Sequence, residues 1–312
     1  MGQEGAAGRI AVIGRWLVLS CVLLFALVVG ARAETLTLAT YNVENYVAAN
    51  RMVDGMYREN YPKPEAAKAA LRSVIRSLDA DLLALQEIGS EAHLEELRRD
   101  LKSEGVDYPF FAWLEAADKD RHVALLSRRP LTAVVRHTDL TFSYLGRETP
   151  VKRGLLEVRI ATTAGELTLF VFHLKSRYTD EASDPQSQLR RAGEAEAIRD
   201  RVLRQFPDPS SARFLVLGDC NDSPGSRPLR ALTQRGRRTI AHLLPAADSR
   251  GETWTHYYRR EDVYSRVDYI LASPALAPTV VNGAAVICDL PETAAASDHR
   301  PVSVRLNLSR AE

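Results

Sequence analysis

Leu215-Val216-Leu217-Gly218-Asp219-Cys220-Asn221-Asp222-Ser223-Pro224 joins a short apolar run to a cluster of turn formers. The run has the pattern of a buried strand, and the residues after it end that strand. Asp219 and Asn221 stand two apart, so on an extended chain they point the same way. A carboxylate can accept a proton from water, and an amide can donate hydrogen bonds to an oxyanion. An Asx-rich turn closing an ordinary strand uses the same residue types. The weight therefore comes from other polar groups placed like these. Asn42, Glu87, His173, Asp298 and His299 sit at or just past the ends of apolar runs, and Asp268 sits near the start of one.

Such a set meets the demands of phosphodiester hydrolysis. The substrate is an anion, so a cation must offset the repulsion felt by an incoming hydroxide. Glu87, Asp298 and Asn42 offer hard oxygen ligands that suit Mg²⁺, with Mn²⁺ or Ca²⁺ as substitutes. An attacking water must be oriented and deprotonated, and the leaving oxygen needs a proton or a metal. Asn221 and His173 could meet the charge on the non-bridging oxygens. Asp268 could fix the tautomer of His299 and raise its basicity. Taken singly, each residue has an ordinary reading as a solvated carboxylate or a satisfied histidine. Their joint placement at strand ends points to a site.

The elements that must position them follow from periodicity. Thr35–Asn42 alternates like a half-buried strand and ends in Asn42. Residues 46–62 read as a loop, and Pro64 opens a helix running to Leu78. Leu82–Leu85 is a strand ending in Gln86-Glu87, followed by a helix over 91–103 and a strand over 108–114. Val123–Ser127 is another apolar strand, with Leu131–His137 expected as its antiparallel partner. Residues 152–160 and 167–172 form a hairpin leading to His173, and a long helix covers 186–205. After the Asp219 strand, Pro228–Arg238 is basic and begins helical. The aromatic stretch 253–264 resists assignment. Strands then cover 267–271, 280–287 and 302–306, with a loop over 290–296. Strands dominate, and a two-sheet core flanked by helices is the simplest packing.

The chain of 312 residues is 46% hydrophobic and 26% charged, which suits one sizeable globular domain or at most two. Its net charge of +1 gives no molecule-wide basic field, so a nucleic-acid substrate would need a local basic patch. Arg9 and Arg15 precede an apolar run from Trp16 to Val29, and Ala31-Arg32-Ala33 follows as a cleavage site. The run falls short of the roughly 20 residues of a membrane span. Residues 1–33 are therefore expected to be a signal peptide, with export to the periplasm or beyond, and residues 34–312 the catalytic domain. An uncleaved anchor helix is the rival reading. Removal of the leader takes Cys21 with it and leaves Cys220 and Cys288. Export permits these two to pair, and spacing does not say whether they meet.

Six stretches resemble the endonuclease/exonuclease/phosphatase superfamily, in the family's order and over nearly the whole mature chain. They are Thr40-Tyr41-Asn42-Val43, Leu85-Gln86-Glu87, His173-Leu174-Lys175-Ser176, Gly218-Asp219-Cys220-Asn221-Asp222, Arg266-Val267-Asp268-Tyr269-Ile270-Leu271 and Ser297-Asp298-His299-Arg300-Pro301-Val302. The resemblance implies an α+β fold, a four-layer α/β/β/α sandwich of two facing mixed sheets, as in DNase I-like nucleases. It implies Glu87 as a metal ligand supported by Asn42 and Asp298, and Asp219 as the group that orients or activates water. It implies Asn221 and His173 as a phosphate-contacting pair and Asp268 with His299 as an Asp–His pair, the role of His299 being left open as base, acid or donor.

Two positions depart from the pattern. Cys220 replaces the family's usual Phe, and it should point away from the site. Relatives often carry an acid near the start of the Val123 strand that orients the histidine; the candidate here is Asp120, with His122 beside the strand. Arg153 matches a basic position of some relatives and could contact phosphate or be a hairpin-edge charge. Three functions are then open. A secreted nuclease is supported by the arginines at 227, 230, 235, 237 and 238, which could bind phosphates or simply form a solvated face. A sphingomyelinase-like lipid phosphodiesterase needs apolar loops for a membrane; 290–296 has no aromatic, while Trp254, Tyr257 and Tyr258 favour it. A phosphomonoesterase is a weaker variant, and a non-catalytic binding module stands against the complete polar set. No obligate protein partner is indicated.

Overall fold

The computed structural model describes residues 34–308, so the expected leader lies outside the described residues. Among those described, no helix is long and apolar enough to cross a membrane.

Two large sheets face each other. In chain order their strands are β1 (Glu34–Tyr46), β2 (Leu82–Ile88), β3 (Phe110–Leu114), β4 (His122–Ser127), β5 (Leu131–His137), β6 (Leu155–Thr162), β7 (Gly165–His173), β8 (Phe214–Asp219), β9 (His242–Leu243), β10 (Ala246–Ala247), β11 (Asp268–Ala272), β12 (Ala285–Ile287) and β13 (Val302–Leu308). The first sheet runs β10-β12-β13-β1-β2-β4-β3, and the second β9-β11-β8-β7-β6-β5. The helices are α1 (Glu65–Leu78), α2 (Glu91–Ser103), α3 (Gln188–Gln205), α4 (Arg227–Thr233) and the short α5 (Thr293–Ala296).

Alternation along each strand divides the apolar residues into three layers. Leu36 and Leu38 of β1 join Leu169, Val171, Leu215, Leu217 and Ile270 in the core between the sheets. The intervening Ala39, Tyr41 and Val43 face outward onto Leu71, Val74 and Ile75 of α1 and Leu94, Leu97 and Leu101 of α2. On the other side Phe170, Phe172 and Val216 pack against Ala195, Ile198 and Val202 of α3 and Leu229 and Leu232 of α4. This is the α/β/β/α sandwich. Each fully buried Leu or Phe contributes about 1.5–3 kcal/mol. The layers also separate the cysteines: Cys220 lies in the outer layer of the second sheet, Cys288 packs on the outer layer of the first, and both are free.

Some expectations are corrected. Residues 131–137 do not pair with the Val123 strand; β5 pairs with β6 in the second sheet. The Ser127 hydroxyl donates to the Arg129 carbonyl at 2.7 Å and accepts from its amide at 2.9 Å, which turns the chain ahead of Pro130. Proline has no N–H with which to extend a ladder, and the strand starts afresh across the core. Residues 46–62 are a hairpin, Ala49–Val53 with Met56–Tyr61, and not a loop. Asp54 (φ 51°) and Gly55 (φ 75°) form its turn, as an Asp-Gly pair between strands favours. The unassigned 253–264 stretch contains a second hairpin, His256–Tyr258 with Val263–Ser265, and residues 293–296 of the expected loop are α5.

Candidate active site

Strand direction gathers the polar residues at one rim. Asn42 has the same parity as Leu36 and Leu38, so it faces between the sheets. Asp219 continues the inward set Leu215 and Leu217, and His173 continues Leu169 and Val171. β7 and β8 are parallel, which sets His173 beside Asp219. β11 is antiparallel to β8, so its first residue, Asp268, pairs with the last residue of β8. β13 is likewise antiparallel to β1, and Asp298 and His299 precede it beside the end that carries Asn42. The Ser297 hydroxyl ties this loop down by donating to the Asn42 carbonyl at 2.8 Å and accepting from the His299 amide at 3.0 Å. Glu87 stands where the register of β2 and β4 shifts, with φ 63°. Glu44, Asn45 and Asn221 also have positive φ, a concentration of uncommon backbone at one place.

Asp219 is the hub. Its Oδ2 accepts from Asn42 Nδ2 at 3.0 Å, and its Oδ1 from the Asn221 amide at 2.7 Å. His173 Nε2 lies 3.4 Å from Oδ2 and 3.1 Å from Asn221 Nδ2. His299 Nε2 is 3.9 Å from the same oxygen, while its Nδ1 is 2.8 Å from Asp268 Oδ2. Burial, with Asp268 adding repulsion, pushes the Asp219 carboxyl up to about 7. Burial alone would depress the His299 imidazole, but Asp268, helped by Asp219 and Asp298, holds it well above its ordinary value. His173 is the opposite case: burial, reinforced by Arg153, His299, Arg121 and Lys152, keeps it neutral.

Residues that could hold a hard cation adjoin this hub. Glu87 Oε2 accepts from the Asn45 amide at 2.9 Å. Glu44, which sequence reasoning missed, is raised by burial and then by Asp298, with Glu87 adding to it and only Lys63 and Arg259 opposing. Glu44 thus feels two further carboxylates beside the Asn42 amide, while Asp298 itself is held below its ordinary value, His256 and His299 outweighing its burial. The donor set is all oxygen, which fits Mg²⁺, Mn²⁺ or Ca²⁺. Asn42, Glu87 and Asp298, with Glu44, are the residues that would hold such an ion. His256, also missed, sets Nε2 3.7 Å from Asp298 Oδ2, and its ring centroid is 4.6 Å from that of His299. The spacing of Glu44, two after Asn42 on one strand, was a usable signal. Nothing in the sequence marked His256, which a separate hairpin delivers.

Arg153 is neither a hairpin-edge charge nor a free phosphate contact. It is buried, donating from Nε to Asp118 Oδ2 at 2.9 Å and from Nη1 to the Leu174 carbonyl at 3.0 Å. Asp120 is exposed, and His173 Nδ1 has no partner, so no acid orients that ring in the way expected. Of the five arginines after β8, three meet acids, Arg227 at Glu196, Arg235 at Asp200 and Arg238 at Asp208, while Arg230 and Arg237 make no ion pair among the described residues. A solvated, partly ion-paired face is their reading.

The chain was compared with known proteins. Residues 39–299 match the model of the Endonuclease/Exonuclease/phosphatase family. Among curated proteins, none matches in sequence. Similar solved structures include an endonuclease/exonuclease/phosphatase from Bacteroides vulgatus, at 14% identity and TM-score 0.61, covering 88% of this chain and 100% of that one. A double mutant of Staphylococcus aureus beta toxin with bound magnesium ions aligns at 16% identity and TM-score 0.57, over 87% and 99% of the two chains. Sphingomyelinase C from Streptomyces griseocarneus aligns at 14% identity and TM-score 0.57, over 88% and 100%. These likenesses establish the fold, and the family match spans most of the length: the chain belongs to the endonuclease/exonuclease/phosphatase family, whose chemistry is hydrolysis of phosphoester bonds.

Proposed function

We propose that this protein is an exported, divalent-metal-dependent phosphodiesterase that cleaves nucleic acid without sequence preference. The observation that carries the reading is the arrangement about Asp219, whose carboxylate is met by Asn42, Asn221, His173 and His299. A bound Mg²⁺ would offset the charge of the phosphate. The protein's own residues supply the rest. Asp219 is placed to orient a water and take its proton. Asn221 and His173 face the non-bridging oxygens. Asp268 fixes the His299 ring through Nδ1, leaving Nε2 turned to the reacting groups.

Export rests on the leader. A lipid substrate has two structural features in its favour: Tyr258, Val263 and Tyr264 are exposed on the 256–265 hairpin, and Met52, Met56, Tyr57 and Tyr61 on the 49–61 hairpin. That hairpin also carries Arg51, Asp54, Arg58 and Glu59, which suit water better than a bilayer. The test is plasmid nicking by the chain from Glu34, with Mg²⁺ and with EDTA, beside sphingomyelin vesicles. Mg²⁺-dependent nicking that drops at least a hundredfold in His299→Ala is the expected result. Near wild-type activity in that variant would remove the mechanism, and turnover of sphingomyelin alone would replace the substrate.

A further inference from the structure

We propose that Arg121, Lys152 and Lys175 line a second anion subsite beside the scissile phosphate, so that the preferred substrate carries a further phosphate on the His173 side. The inference rests on the function proposed above and narrows its substrate to oligoanions.

The row of cations begins against the phosphate-contacting pair. The Leu174 carbonyl accepts from both Arg153 Nη1 and Asn221 Nδ2, each at 3.0 Å. Asp118 Oδ2, which holds Arg153, also lies 3.4 Å from Lys152 Nζ. The other oxygen of Asp118 accepts from the Arg121 amide at 3.3 Å, and Arg121 Nε donates to Asn45 Oδ1 at 2.6 Å. Asn45 in turn binds Glu87 through its amide. The row therefore runs from the metal-binding acids to His173. Lys175 follows His173 by two residues, and its ammonium rests on the Ser176 hydroxyl and the Ser176 and Tyr178 carbonyls.

The charges here do not balance. Lys152 and Arg153 share the Asp118 carboxylate, Arg190 lies 3.6 Å from Glu194, and among the described residues Arg121 and Lys175 make no ion pair. Glu194 is already engaged by the amides of Lys152 at 3.2 Å and Lys175 at 2.7 Å. Partial burial, then repulsion by Arg153, Lys152 and Arg190, pushes the Lys175 ammonium down to about 8. Arg153 is buried, whereas Arg121, Lys152 and Lys175 are part-exposed, and the Lys175 ammonium is held by neutral acceptors and not by an acid. An excess of cations held together at the edge of a phosphate site is relieved by another anion. The same excess repels a choline headgroup, which is a cation.

The test compares thymidine 3′,5′-bisphosphate with thymidine 5′-monophosphate by calorimetry in Mg²⁺ at low salt. The mature chain should bind the bisphosphate about tenfold more tightly, a preference that shrinks with added salt. In Lys152→Gln/Lys175→Gln the preference should collapse, with the circular dichroism unchanged. Equal affinity for the two ligands in the wild type, or a preference untouched in the variant, overturns the subsite. Hydrolysis of bis(p-nitrophenyl) phosphate is read separately. If hydrolysis occurs without the binding preference, the subsite alone falls. If the preference holds without hydrolysis, the subsite stands as an anion site and the proposed activity falls.

Discussion

Asp219 occupies a position that disfavours its charge. It is fully buried, it faces Asp268, and its carboxyl is raised to about 7 from an ordinary value near 4. Between those values the folded chain binds more protons than the unfolded one, so stability falls as pH rises from about 4 to about 7. His299 acts in the same direction. Its raised value stabilises the fold fully below the ordinary imidazole value near 6.5, and this contribution is lost as pH rises through the folded value. Asp219→Asn removes the buried charge and keeps one acceptor for Asn42 or Asn221. In EDTA at pH 8 this variant should melt a few degrees above the wild type, and its melting temperature should vary less between pH 4 and 8. The same variant should lose Mg²⁺-dependent hydrolysis by at least a hundredfold. A lower melting temperature at pH 8 would show that the hydrogen bonds outweigh the repulsion. The carboxylates Glu44, Glu87 and Asp298 carry a second prediction. Mg²⁺ at a hundredfold excess over its Kd should stabilise the protein by about 2.7 kcal/mol. That is a rise of roughly 5–10 °C in melting temperature, absent in Glu87→Ala; an undiminished rise there would exclude Glu87 as a ligand.

At the scale of elements, the close approach of β7 and β8 is what sets His173 beside Asp219. Gly218 permits it: at φ 148° a β-carbon would run into the Phe172 carbonyl oxygen. Gly218→Ala should therefore destabilise by several kcal/mol and separate the two strand ends. Urea denaturation measures the first effect; a midpoint near the wild type would mean that β7 and β8 slide apart cheaply. The elements that carry the site were readable because parity and strand direction are local properties. Asn42, His173 and Asp219 each end an inward-facing apolar series, and Asp268 begins one because its strand runs the other way. The jump of β5 to the second sheet was not readable, since a strand following a turn pairs with its neighbour by default. The hairpin at Asp54-Gly55 has its turn signal, but its strands are mostly exposed and lack the apolar alternation that marks a strand.

Over the whole molecule, the sandwich and the family were legible because six motifs fall at the ends of strands whose apolar cores set their order. What escaped belongs to long-range charge matching. Asp118 lies far in sequence from Arg153, and Glu194 is 42 residues from Lys152, whose amide it accepts. No spacing rule reports which cation finds an acid and which is left over, so a run such as the arginines at 227–238 is visible in the sequence while Lys152 and Lys175 are not. The site is also divided between the two halves of the sandwich. Asn42, Glu87, Asp298 and His299 come from the first sheet and the loop leading to β13, and His173, Asp219, Asn221 and Asp268 from the second sheet and its strand ends. Neither sheet alone holds both the cation-binding acids and the phosphate-contacting pair. Competence is thus a property of the seam: on the function proposed, the chain should be inert at every stage of folding before the two sheets close on each other, and recovered turnover would be a direct clock for that closure.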